Sequence, residues 1–189
     1  LLRVQLNGGH GLYTDHNPWF ASPATYTSRS PIALDPPGAG STTWAESWIE
    51  YGFAGANRIG DSFAYAYGEL TGLTSAATGH DLFRSDTRSK TLFEKAYAGV
   101  LWADAGAPRA ARISAGRQNW QLNNGFLFSK FAAGANAGPN PGLYLSPRTT
   151  YEMAILADAR HGRFRIEYFD VDPAELRDFD SDTRFRGMH

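Results

Sequence analysis

Trp44, Glu46, Trp48 and Glu50 are the densest group of residues in this chain with the means to do chemistry. Paired carboxylates suggest glycoside hydrolysis, one acting as acid and the other as base or nucleophile. Glu46 and Glu50 on one strand, however, stand about 13 Å apart, beyond the separation that either mechanism uses. Indole rings beside a carboxylate suit sugar binding better, since the rings stack on sugar faces while the carboxylate accepts hydroxyl hydrogen bonds. The competing readings are that both rings pack against an inward-folded loop, or that a bulge reverses the register.

Other chemistries find less support. The chain has no cysteine, which excludes disulfides, cysteine-ligated zinc and thiol catalysis. Its five histidines, His10, His16, His80, His161 and His189, are scattered without ligand spacing. Asp178, Asp180 and Asp182 have the spacing of the first calcium ligands of an EF-hand, but the glycine and glutamate that must follow are missing. No serine stands in a Gly-x-Ser-x-Gly elbow. We therefore expect no enzyme, no metal and no cofactor. A formal net charge of -1, with both signs spread along the chain, excludes a nucleic-acid footprint.

The elements that carry these residues are strands. In 189 residues, 14% aromatic content and 20 glycines accompany a mean hydropathy of -0.39, a mixture poor for helical cores. Side chains alternate at period two over seven segments, about 1–13, 43–55, 62–73, 91–103, 110–120, 149–159 and 163–171. In the second, Trp44, Glu46, Trp48 and Glu50 oppose Ala45, Ile49, Tyr51 and Phe53. In the sixth, Glu152, Ala154, Leu156 and Asp158 oppose Tyr151, Met153, Ile155 and Ala157; in the seventh, Arg165 and Glu167 oppose Phe164, Ile166 and Tyr168. Each strand has a wet face and a dry one.

Many of these segments run to about 10 residues or more, the length of a tilted membrane crossing. Short turn-like connections at 56–61, 104–109 and 160–162 alternate with long polar ones at about 14–42, 74–90, 121–148 and 172–189. In a meander, successive connections emerge on opposite sides, so one side carries tight turns and the other long loops. That is the build of an antiparallel up-and-down transmembrane β-barrel, here incomplete, with about seven strands in a single partial domain over 1–189. Tyr65, Tyr67, Phe93, Tyr97, Trp102, Tyr151, Phe164 and Tyr168 lie mostly toward strand ends, where girdle residues meet lipid headgroups. Seven strands would leave two open edges in lipid, so the chain is expected to be cut at both ends; residues 185–189 look like the opening of another strand.

Parity points Glu46, Glu50, Glu152, Asp158, Arg165 and Glu167 into a polar lumen, with Arg112 and Gln118 on the inner side of the fifth segment. Arg117 shares parity with Ile113 and Ala115 instead. The stretch from Phe93 through Ala96, Tyr97, Ala98, Gly99 and Val100 to Leu101, then Arg112 to Gly116, Arg117 and Gln118, resembles a strand pair of Gram-negative porins. There an Ala-Tyr-x-Gly-Leu strand precedes a hairpin and a strand ending Gly-Arg-Gln before a long loop; here the leucine is displaced by one. Loop 121–148, Arg148 and the strand from Tyr151 are similar to alginate-export-type channels.

The resemblance centres on 90–171. It implies a passive outer-membrane channel for small hydrophilic solutes, including saccharides or anionic oligosaccharides, with outer-membrane lipid as its other partner. It also implies that loop 121–148 folds inward to narrow the pore, and that Arg117 points into it. Homotrimerisation, common among porins, comes with the resemblance alone. The alternative is a soluble carbohydrate-binding β-sandwich, in which Ile49, Tyr51, Ile155 and Ile166 would converge into one core.

Overall fold

The computed structural model describes residues 1–16, 41–79, 87–104, 108–125, 145, 149–173 and 184–189. Among the described residues the chain is all-β, with no helix. Its strands are β1 (Leu2–His16), β2 (Ser41–Arg58), β3 (Ala64–Gly79), β4 (Arg88–Ala103), β5 (Arg109–Arg117), β6 (Met153–His161), β7 (Phe164–Asp172) and β8 (Phe185–Met188). They form one sheet in sequence order, each antiparallel to the strand before it. The sheet is not closed, as in an incomplete barrel: β1 and β8 are its edges. β8 lies where the sequence marks the opening of a further strand.

Connections at 59–63, 104–108 and 162–163 leave one end of the sheet, and those at 17–40, 80–87, 118–152 and 173–184 the other. Most of the long connections, with Asp178, Asp180, Asp182, His80 and Arg148, lies outside the described residues. Gly60 and Gly162 take left-handed φ of 57° and 58° at the tight turns, where a side chain would be strained.

On the loop side β2, β3 and β4 run further than expected. Thr74, Ser75, Ala76, Ala77 and Thr78 carry no apolar alternation, yet the ladder continues through them. Cross-strand threonine pairs extend it, Thr74 to Thr91 at 2.9 Å and Thr14 to Thr43 at 3.1 Å. β5 and β6 are shorter than expected: residues 118–120 and 149–152 leave the ladder and pack onto one face of the sheet.

Register fixes the two faces. Across one of them Val4 stands opposite Phe53, Phe53 opposite Leu70, and Leu70 opposite Ala96. Its large members, among them Val4, Leu6, Ile49, Phe53, Ile113 and Ile166, are exposed. The opposite face carries Gln5, Glu50, Glu69, Lys95, Arg112, Asp158 and Glu167, and against it sits the buried cluster of Trp120, Tyr151, Ala154, Phe169 and Val171. The arrangement is apolar outside and polar inside. Among the described residues no second sheet packs on the apolar face: the eight strands belong to one sheet, and Ile49, Tyr51 and Ile166 stay exposed.

Gly116, near the end of β5, has φ of 126°, and a Cβ there would lie 2.3 Å from the Ala96 carbonyl oxygen. Gly116→Val is expected to cost about 3 kcal/mol from strain and backbone overlap. Urea unfolding checks it, and a midpoint equal to the parent's would contradict it.

Candidate functional site

The inner face is concave. A cavity of about 500 Å³ is lined from β3 to β7 by Glu69, Lys95, Arg112, Leu156 and Glu167 among others, with Trp120 closing its loop end. Two charged groups divide it.

On β1 to β4, Glu69 is the hub. It accepts hydrogen bonds from Gln5 (3.0 Å), Thr71 (3.2 Å), Lys95 (3.0 Å) and Tyr97 (3.2 Å). Glu50 joins through Gln5 at 3.3 Å and lies 3.9 Å from the Lys95 ammonium. A bulge explains how Lys95 and its neighbour both face inward: Thr71 pairs with Lys95 and Gly72 with Phe93, leaving Glu94 as the extra residue. Glu94 is fully buried, and its carboxylate accepts the Thr149 N–H at 2.7 Å and lies 3.4 Å from the Thr150 hydroxyl.

On β5 to β7, Asp158 meets Arg165 in a short contact and lies 3.7 Å from both Arg112 and Arg160. Glu167 pairs with Arg165 at 2.9 Å and accepts the Trp120 indole N–H at 2.7 Å. Trp120 stacks on Phe169 with centroids 4.4 Å apart. Gln118 is buried, within 2.9 Å of the Ser114 hydroxyl, and donates to the Ala154 carbonyl at 3.2 Å. Truncating Trp120→Ala removes this packing and leaves Glu167 without its indole donor, at an expected cost of about 3–5 kcal/mol. A shift of the urea midpoint checks it; Trp120→Phe should recover the larger part.

Described residues of the connection between β5 and β6, Leu145 and Thr149 among them, meet this face. The Leu145 N–H donates to Glu46 on β2 at 2.7 Å. Glu46 is fully buried and also accepts the Trp44 indole N–H at 2.8 Å.

Comparison with known proteins finds no matching family model, no matching curated protein and no matching solved structure. Function must be read from the site itself.

Of the residues nominated from sequence, Glu50, Arg112, Gln118, Asp158, Arg165 and Glu167 meet on the inner face as parity requires. Trp44 and Glu46 have the expected parity but not the expected use: Trp44 is buried, stacked on Tyr13 at 5.5 Å, so it offers no sugar platform. Trp48 lies against Gly9 on the neighbouring strand, where a Cβ would come within 2.5 Å of its indole nitrogen. Glu152 precedes β6 and is exposed; it pairs at 2.9 Å with Arg117, which stands opposite Ala96 on the apolar parity. Arg117 keeps the parity of Ile113 and Ala115 rather than the inward direction that the resemblance implies, and Glu152 leaves the inner row because alternation breaks just before β6.

The expected girdle also divides. Trp102 and Phe164 are exposed on the outer parity near the tight turns, joined there by Phe63. Tyr67 and Tyr97 line the cavity instead, and Tyr151 is buried in the inner cluster, where burial raises its phenol pKa. Sequence reasoning missed Gln5, Glu69, Glu94, Lys95 and Trp120. The first two were legible by parity, Glu69 standing two residues from Thr71 and Tyr67; Glu94 was hidden by the bulge.

Proposed function

We propose that this chain forms wall strands of a bacterial outer-membrane β-barrel channel that passes small hydrophilic solutes. The observation that carries the reading is the inversion of the faces: large apolar side chains exposed on one side of a single sheet, hydrogen-bonded charges and a cavity on the other. Water gives no reason to display Val4, Leu6, Phe53, Ile113 and Ile166 together, whereas lipid does. The shorter wall strands, of nine residues, span about 30 Å along the strand and about 23 Å along the membrane normal at a tilt near 40°. That matches the apolar band of outer-membrane barrels.

The Leu145 and Thr149 contacts on the inner face support a channel narrowed by these residues, rather than an open tube. Saccharides fit the polar lining, but the buried Trp44 removes the sugar track at Trp44 and Trp48 as a reason to prefer them. Reconstitution of the full-length protein in planar bilayers tests the proposal. Stepwise single-channel conductance and heat-modifiable gel mobility are expected. A protein that remains soluble and monomeric without detergent would overturn it.

A further inference from the structure

The outer face changes character abruptly at its tight-turn end. One cross-strand row there reads Trp102, Ala111, Ala159 and Ile166, on β4, β5, β6 and β7. The next row toward the turns places Arg109 opposite His161, and His161 opposite Phe164. Two residues of rise, about 7 Å, separate the apolar row from the cationic one. The two alanines leave a gap between the larger side chains of Trp102 and Ile166. A groove of about 300 Å³ lies there, with Phe63, Trp102, Ala111, Ala159, Arg109 and His161 in its lining. Arg163 joins the rim, its guanidinium 5.2 Å from the centre of the Phe164 ring.

Charge at this rim is not balanced. Among the described residues Asp104 is the one acid that lines the groove, against Arg109 and Arg163, so one positive charge is in excess. Arg160 also lines it, but lies 3.7 Å from Asp158, which belongs to the inner face. At the loop end of the same outer face the arginines are matched: Arg117 pairs with Glu152, and Arg184 and Arg186 with Asp170. Among the described residues Arg109 and Arg163 enter no ion pair.

We infer that the groove is a site for one anionic phospholipid, its acyl chain lying over Ala111 and Ala159 and its headgroup phosphate meeting Arg109, His161 and Arg163. The inference rests on the reading of this face as the lipid-facing side of a membrane wall. Two observations select the occupant. The groove opens among exposed aromatic residues, Trp102 and Phe164 being 47% and 67% exposed, of the kind that sit at the headgroup boundary. Its cations begin where its apolar floor ends, which is the order of groups along a phospholipid, and arginine forks take phosphate oxygens in pairs.

Trp102 supplies the probe. The full-length protein is placed in phosphatidylcholine vesicles containing a minor fraction of phosphatidylglycerol, with one or the other lipid brominated on its acyl chains, and quenching of indole fluorescence is measured. Subtracting the Trp102→Phe signal isolates Trp102 from the other tryptophans. Phosphatidylglycerol should be favoured beside Trp102 by roughly fivefold, the effect of one charge at a membrane surface. Arg109→Gln should bring the ratio close to one, while Arg109→Lys keeps most of it. Ala159→Phe, which fills the groove and leaves its charges, should also lower the ratio. Arg58→Gln should not, because that guanidinium is held by the Asp61 and Ser62 carbonyls of a neighbouring turn. Each variant is checked for heat-modifiable mobility, so that a lost barrel is not read as a lost site. Equal quenching by the two lipids, a ratio unmoved by Arg109→Gln, or one lowered as much by Arg58→Gln overturns the lipid site and leaves the membrane wall standing. Absence of quenching by either lipid overturns the membrane reading, and the site with it.

Discussion

On the channel reading proposed above, replacing Glu46 and Glu94 together by alanine is expected to widen the pore. These two fully buried carboxylates hold the returning end of the long connection on the inner face, through Leu145 and Thr149. A hydrogen bond to a charged acceptor contributes about 1.5–3 kcal/mol. Removing both acceptors also leaves the Leu145 and Thr149 N–H groups without them, so the connection loses its anchorage on β2 and β4. Single-channel conductance should rise, and proteolysis within 121–150 should accelerate. Each single variant should show a smaller part of the effect. Unchanged conductance in the double variant, with a barrel still formed, would mean that the connection does not limit the pore.

The second large effect concerns the other face. Ile113 lies in the middle of β5, exposed on the apolar side. In water, Ile113→Arg would be a surface change within about 0.5 kcal/mol, and would aid solubility. In lipid, an arginine near the midplane costs about 2–4 kcal/mol. The variant is therefore expected to fold poorly into bilayers, whereas Ile113→Leu should fold as the parent does. Folding yield into lipid vesicles against urea measures the difference directly, and equal yields would place this face in water.

Much of the architecture was legible because a barrel wall obeys local rules. Period-two alternation located seven of the eight strands, and turn residues such as Gly60 and Gly162 located the hairpins. Legibility failed where a long-range contact overrides alternation. The bulge at Thr71 and Gly72 turns Glu94 inward only because β4 pairs with β3 there. Residues 118–120 and 149–152 keep an alternating pattern, yet leave the sheet because Trp120 and Tyr151 bury themselves against Phe169. Glu152 loses its expected place at the second of these points, whereas Arg117 keeps the parity of Ile113 and Ala115. The hydrogen-bond hub at Glu69 depends on Gln5, 64 residues away, and on Lys95, 26 residues away; periodicity shows a shared face but no partner. Ionic pairing on the outer parity follows the same logic: Asp170 takes Arg184 at 2.5 Å and Arg186 at 3.0 Å across β7 and β8, and the Asp170 carboxylate raises the Arg184 pKa.

The most direct measurement of the central claim uses the absence of native cysteine. Single cysteines placed along β2 at positions 48, 49, 50, 51 and 53, each carrying a nitroxide, report contact with lipid-soluble oxygen and with a water-soluble nickel chelate in proteoliposomes. Positions 49, 51 and 53 should respond to oxygen and not to nickel, while positions 48 and 50 should show the reverse. Equal access of the nickel chelate to both sets would contradict a membrane wall with a water-filled inner face.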